Sequence, residues 1–174
     1  GRAGARGRAA GPRATCPAAR GSAELLYLYP RDPPVRSIVE DAATSLPRPG
    51  ADPSWPWPEP RLTYANALIP EALIAVGRAT GSQALVQDGL SLLRWLVDEE
   101  TRDGRFSFAP TGGRGPGGPR PAFDQQPIEA TSFIEAAARA FDVTQGRAWL
   151  AVVERPVAWF FGGHDAGAPR LGPR

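Results

Sequence analysis

Two stretches of this chain follow the same order of elements, and this repeat constrains the fold more than any other feature. In each stretch a helix with apolar side chains on two sides is followed by a Thr and a Gly that end it, and then by an amphipathic helix with a late Trp. A shift of 64 residues carries Glu71 onto Glu135 and Trp95 onto Trp159. We therefore predict two consecutive α-hairpins, each an inner helix followed by an outer one. The four helices are predicted over 62–79, 83–97, 127–143 and 148–161.

The remaining segments carry weaker signals. Residues 1–22 are mostly Gly, Ala and Arg, which bury too little apolar surface to offset the entropy of ordering a chain, and this predicts disorder. Residues 23–49 contain one run of apolar side chains with helical spacing, over 35–46, which lies between clusters of prolines. The predicted organisation is a low-complexity tail over 1–22, a lead-in with one short helix over 23–49, the two hairpins within 50–168, and a second tail over 169–174.

Composition excludes several classes of function. The net charge of +2 arises from five arginines in residues 1–22, where there is no acid, so the rest of the chain is mildly acidic and nucleic acid is not an expected partner. No apolar run is long enough for a membrane span. The single cysteine, Cys16, allows neither an internal disulfide nor a cysteine metal site, and a reducing, cytoplasmic setting is expected. No metal and no cofactor are predicted.

The first candidate site precedes the helix predicted to begin at Pro127. Proline suits the first helical position, where its missing N–H would have had no partner. The preceding residues Asp124, Gln125 and Gln126 are therefore expected at a helix N-terminus, where free N–H donors and the helix dipole favour an ionised acid or a polar ligand. The alternative is that Asp124 only caps the helix.

The second candidate site is the rigid run Trp55-Pro56-Trp57-Pro58-Glu59-Pro60. Tryptophan rings stack on the apolar faces of sugars, but they also fill protein cores, and both interpretations stay open for Trp55 and Trp57. The repeat places Glu59 one residue from the equivalent of Asp124, so both acids precede inner helices of neighbouring hairpins. Two carboxyl groups about 5–10 Å apart are what glycoside hydrolysis requires. The alternative is that one acid is a cap and that the other is paired with Arg61 or Arg120.

Four blocks of the sequence are similar to a bacterial domain found downstream of glycosyltransferase modules, which resembles the six-hairpin glycosidase superfamily. They are WPWPEPRLTYANALIPEAL (55–73), GLSLLRWLVDEETRDGRFS (89–107), RPAFDQQPIEA (120–130) and WFFGGHDAG (159–167). The resemblance implies an all-α fold in which the hairpins form part of an (α/α)6 toroid, an incomplete ring in a fragment of a longer protein.

The resemblance also implies a carbohydrate ligand and an attached glycosyltransferase module. In that case Glu59 and Asp124 would be the acid and the base, and the remaining side chains would hold the sugar. Those predicted substrate-binding residues are Trp55, Trp57, Tyr64, Asn66, Gln125, Gln126 and Glu129. The alternative function is a non-catalytic helical scaffold or regulatory module of the glycosyltransferase. A protein-binding helical solenoid is disfavoured because its repeats are shorter, at about 34–47 residues.

Overall fold

The computed structural model describes residues 12–163, and its regular elements are helices apart from one short β-ribbon. The all-α class is therefore confirmed, with three successive helix pairs where the sequence predicts two pairs and a lead-in. The helices are α1 (Cys16–Leu28), α2 (Pro33–Ser45), α3 (Leu68–Thr80), α4 (Gln83–Glu99), α5 (Pro127–Thr144) and α6 (Ala148–Phe160), and a 3-10 helix spans Pro12–Thr15. The strands β1 (Thr101–Arg102) and β2 (Arg105–Phe106) pair antiparallel. The predicted tail over 169–174 lies outside the described residues.

The α3–α4 and α5–α6 pairs match the predicted hairpins. Gly81 follows α3 with a φ of 73°, a left-handed conformation that glycine adopts without strain, and the Ser82 hydroxyl caps α4. Gln145 takes the same left-handed position after α5, with a φ of 54°. The inner helix α3 is buried on nearly all sides, and it packs against α1, α2, α4 and α5. Its outer partner α4 keeps one polar face in solvent, as its sequence pattern predicts.

Helix α3 begins later than its sequence pattern suggests. The pattern starts at Leu62, and the sequence left open whether the helix begins near Pro70 or is kinked there. In the structure α3 starts at Leu68, so Pro70 lies in the first turn, where a backbone N–H has no helical partner. The residues before it form an irregular segment, in which Leu62 pairs with Arg114 through backbone hydrogen bonds of 2.8 Å.

The first helix pair differs from the sequence prediction. Helix α1 begins at Cys16, inside the segment predicted to be disordered, and packs against α2 and α3. Its buried residues are mostly small, among them Cys16, Ala19 and Ala23, so their loss of exposed surface is modest. Small side chains nevertheless allow two helices to approach closely, and the charged residues beside them form ion pairs across the contact. Composition alone does not register either effect.

The segment between α4 and α5 is held on the core, although its Gly and Pro content predicts a flexible linker or lid. Phe106 and Phe108 are buried and pack on Phe133 of α5, with ring centroids 4.8 and 5.4 Å from the Phe133 ring. Arg114, within the glycine-rich part, is also buried and forms an ion pair with Glu99. We call residues 101–126 the crossing segment. No helix among the described residues is sufficiently long and apolar to cross a membrane.

The close contact between α3 and α4 leads to a prediction about glycine. A Cβ at Gly89 would lie 2.7 Å from both the Ile74 Cγ1 atom and the Pro70 carbonyl oxygen, whereas a Cβ at Gly21 in α1 would meet nothing within 4 Å. We expect Gly89→Ala to lower the free energy of unfolding by about 1–3 kcal/mol through overpacking. The control Gly21→Ala should raise it by up to about 1 kcal/mol, because alanine favours the helix. Urea denaturation followed by circular dichroism measures both, and equal effects of the two variants would contradict the prediction.

Candidate functional site

The tryptophans of the second candidate site lie in the core. Trp57 is buried, and its ring stacks on Trp95 of α4 with a centroid distance of 6.0 Å and an interplanar angle of 20°. Trp55 meets the same Trp95 ring edge-on at 5.1 Å, and its indole N–H donates to the Glu59 carbonyl oxygen at 3.0 Å. Of the two interpretations left open by the sequence, core packing is the one that these contacts support.

Glu59 belongs to a polar network that joins three segments of the chain. The Arg13 guanidinium pairs with the Glu59 carboxylate and also donates to the Asn66 Oδ1 atom at 3.1 Å. The Asn66 side-chain amide donates to the Glu129 carboxylate at 3.1 Å. We call Arg13, Glu59, Asn66 and Glu129 the rim network. It brings three predicted site residues together, and the arginine that pairs with Glu59 is Arg13 rather than Arg61 or Arg120.

Glu129 is the innermost acid of the rim network. Its two oxygens accept the backbone N–H groups of Ala65 and Asn66, in addition to the Asn66 amide. Burial raises the pKa of Glu129, and these donors act against that rise. Glu129 therefore holds the turn before α3 against the start of α5, which explains its burial better than contact with a ligand does.

Asp124 lies in a different environment from Glu59. It is exposed and has a φ of 69°, in the left-handed region that aspartate tolerates better than most residues. Its carbonyl oxygen accepts the Thr111 N–H at 3.0 Å and the Thr111 hydroxyl at 3.2 Å. Its carboxylate makes no hydrogen bond to any described residue. The N-cap of α5 is Gln126, so Asp124 is not the cap that the sequence suggested as an alternative.

The two glutamines after Asp124 are tied to the crossing segment and to α6. The Gln125 Oε1 atom accepts the Phe108 N–H and the Trp159 indole N–H, both at 3.0 Å. Gln126 donates to the Thr111 hydroxyl at 2.8 Å. Of the predicted substrate-binding residues, Tyr64 is the one with a largely exposed side chain, at 56%. The first candidate site therefore presents Asp124 to solvent while Gln125 stabilises the fold beneath it.

A second charged cluster, which the sequence did not reveal, joins α1, α3 and α5. Arg20 of α1 forms ion pairs with Glu71 of α3 at 3.0 Å and with Glu135 of α5 at 2.6 Å. Arg139 of α5 pairs with Glu24 at 2.6 Å and with Glu71 at 3.2 Å. The one sequence signal of this cluster was the 64-residue repeat, which relates Glu71 to Glu135. In the structure these two equivalent acids both pair with Arg20. A surface cleft of about 410 Å³ borders the cluster.

The sequence also missed Glu100, the residue that follows α4. It is fully buried, its Oε1 atom accepts the Ala109 N–H at 2.9 Å, and its Oε2 atom has no hydrogen-bond partner among the described residues. Burial, reinforced by the charge of Glu129, raises the pKa of Glu100 to about 8. No sequence signal marks it, because it lies in an acidic run that is typical of a solvated helix end.

The environments of Cys16 and of the acidic side chains bear on thiol and metal chemistry. Cys16 is buried, and burial raises the pKa of its thiol to about 11, so the thiolate is scarce at neutral pH. Within residues 12–163 no group of three or more His, Cys, Asp or Glu side chains is placed to hold a metal ion.

Comparisons of this chain with protein families, with curated proteins and with solved structures give no match. The resemblance to six-hairpin glycosidases consequently stays a prediction from the sequence blocks.

The contrast between Glu59 and Asp124 predicts opposite outcomes for two conservative variants. Glu59→Gln removes the charge that Arg13 requires in a mostly buried position, and we expect it to lower the free energy of unfolding by about 1–3 kcal/mol. Asp124→Asn changes an exposed carboxylate with no hydrogen bond to a described residue, and we expect a change within about 0.5 kcal/mol.

Urea denaturation of both variants tests this expectation. The double variant with Arg13→Met and Glu59→Gln should recover part of the loss, because it removes both charges of the Arg13–Glu59 pair. A Glu59→Gln variant as stable as the wild-type protein would contradict the importance of the rim network.

Proposed function

We propose that this chain is a non-catalytic helical module of a larger cytoplasmic protein and that it supports an attached glycosyltransferase. The observation that carries the proposal is the pairing of Glu59 with Arg13 inside the rim network. The Arg13 guanidinium covers the Glu59 carboxylate, whose side chain is mostly buried, so a substrate could contact this acid only by displacing Arg13. Of the two acids that would hydrolyse a glycoside, Asp124 alone is then exposed to solvent.

The surrounding residues support the same conclusion. Trp57 is buried with its ring stacked on Trp95, so it offers no free face to a sugar, and the partly buried Trp55 packs edge-on against the same ring. Gln125 uses its side-chain oxygen for the backbone of Phe108 and the indole of Trp159. These residue types are suited to bind carbohydrate, but in this chain they have partners within the fold. A module that supports another domain needs such internal cross-links and no reaction centre.

Activity measurements on the chain test the non-catalytic part of the proposal. We expect no release of nitrophenol above the blank from nitrophenyl glycosides of common hexoses, with or without inorganic phosphate, from wild-type protein or from Asp124→Asn. Turnover that disappears in Asp124→Asn, while the unfolding free energy is unchanged, would contradict it. Glu59→Gln is not a suitable control, because its loss of activity would also follow from its loss of stability.

The supporting role is tested in the longer protein that carries the transferase. Removal of this module should lower the thermal stability of the transferase or change its partner, and it should abolish no hydrolysis or phosphorolysis. Gly89→Ala offers a milder change, because it loosens the α3–α4 contact and leaves the surface unaltered. A transferase with unchanged stability and partners after deletion would exclude a supporting role.

The exposed patch around Asp124 favours a second candidate function, glycan binding without turnover. Asp124 combines an exposed carboxylate with a left-handed backbone, and Phe123 beside it has an exposed fraction of 73%. Backbone conformations of this kind often occur at ligand-binding sites, and a solvent-facing aromatic ring beside a carboxylate suits a sugar.

A matched pair of phenylalanine variants tests this second candidate. Phe161 at the end of α6 is also 73% exposed, so Phe161→Ala controls for the loss of an exposed ring. If the patch binds glycans, NMR titration with maltose and cellobiose oligomers should shift the amides of 122–126, and Phe123→Ala should remove those shifts whereas Phe161→Ala should not. Shifts absent from residues 122–126 would leave the supporting role as the sole candidate.

A further inference from the structure

The crossing segment is attached to the end of α4 at two neighbouring residues, Glu99, which forms ion pairs with Arg114 and Arg120, and Glu100. The Glu100 carbonyl oxygen accepts the Ser107 N–H at 2.8 Å, and its side-chain Oε1 atom accepts the Ala109 N–H at 2.9 Å. Between these two attachments lies Phe108, which packs on Phe133 and on Trp159. One residue therefore holds both ends of the short stretch that carries the crossing segment into the core.

The surroundings of Glu100 favour its neutral form. The side chain is fully buried, and one of its oxygens has no hydrogen-bond partner in the described part of the chain. Two of the three charges that act on it are negative, Glu129 of α5 and the adjacent Glu99, and the positive one is Arg114 of the crossing segment. From α6, Arg155 contacts the neighbouring Thr101 hydroxyl at 3.2 Å. A protonated carboxyl still accepts the Ala109 N–H, whereas an ionised one would lie buried with a single direct donor.

We propose that Glu100 is a protonation-controlled latch, which holds residues 107–109 of the crossing segment on the helices while its carboxyl is neutral and loosens them when the carboxyl ionises. The inference does not depend on either proposed function, since it concerns the attachment of the segment and not what the segment binds.

The sign of the pH dependence follows from the two states of the carboxyl group. In the closed state the pKa of Glu100 is raised to about 8, whereas in an open state it returns toward its ordinary value of 4.5. Between these values opening releases a proton, so the closed state is favoured at low pH and loses stability as the pH rises. The opening equilibrium should increase about tenfold per pH unit over this range.

Amide hydrogen exchange measured residue by residue by NMR tests the latch. Protection factors of the Ser107 and Ala109 amides, corrected for the intrinsic pH dependence of exchange, should fall about 100-fold between pH 5.5 and 7.5. They should be nearly independent of pH in Glu100→Gln, which keeps the acceptor for Ala109 but cannot ionise. Glu154→Gln, at an exposed acid of α6, is the matched control and should behave like the wild-type protein.

Two outcomes of the exchange experiment would overturn the latch. One is a protection factor of Ala109 that does not change with pH in the wild-type protein, a result that needs no variant to fold. The other is an equal fall in the protection of α3 amides such as Ile74, which would show unfolding of the whole chain rather than release of the segment. As an independent check, the side-chain carboxyl carbon of Glu100 should titrate above pH 7, and titration near pH 4.5 would also overturn the latch.

Discussion

The packing of α1, α3 and α5 depends on the ion pairs that these three helices form around a buried carboxylate. Glu71 of α3 is buried, and burial raises its pKa while the guanidinium groups of Arg20 and Arg139 act against that rise. A buried carboxylate that loses its partner costs several kcal/mol, so Glu71 constrains α1 and α5 to positions from which both arginines reach it. Ion pairs of this kind add little net stability, but they penalise every arrangement in which α1 or α5 is displaced.

The two buried acids Glu129 and Glu100 show how local donors decide the state of a carboxyl group. Glu129 accepts three N–H groups, from Ala65 and from the backbone and side chain of Asn66, which favour its charge. Glu100 accepts one, from Ala109, and it lies within the field of Glu129. Because two negative charges in the interior repel each other, the acid with more N–H donors retains its charge more readily than the other.

Local sequence signals predicted the elements of this fold but few of its long-range contacts. Gly81 could be placed because a helix stop needs a left-handed residue, and Pro127 because a first helical turn tolerates proline. The 64-residue repeat predicted two hairpins and related Glu71 to Glu135. Helix α1 was not predicted, because its buried side chains Cys16, Ala19 and Ala23 are small and carry little apolar surface.

The candidate site was less predictable because its residues were chosen by type, whereas their roles depend on partners distant in sequence. Glu59 is separated from Arg13 by 46 residues, and nothing near Glu59 in the chain indicates that pair. The sequence around Trp57 likewise does not indicate whether its ring packs on Trp95 or faces solvent. Asp124 was identified from its place before Pro127, and its exposure agrees with that reasoning even though it does not cap the helix.

The position of Arg13 bears on how a catalytic role could still arise. For Glu59 to exchange protons with a substrate, the Arg13 guanidinium would have to move away, and the Asn66 oxygen would lose one of its two donors. The loss of these contacts would also weaken the attachment of the 3-10 helix that precedes α1. A ligand would therefore have to supply a comparable cation or several donors, which an uncharged sugar does only in part. Glu59 is therefore better suited to a structural role, whereas Asp124 is the acid that a ligand can reach without disrupting the helices.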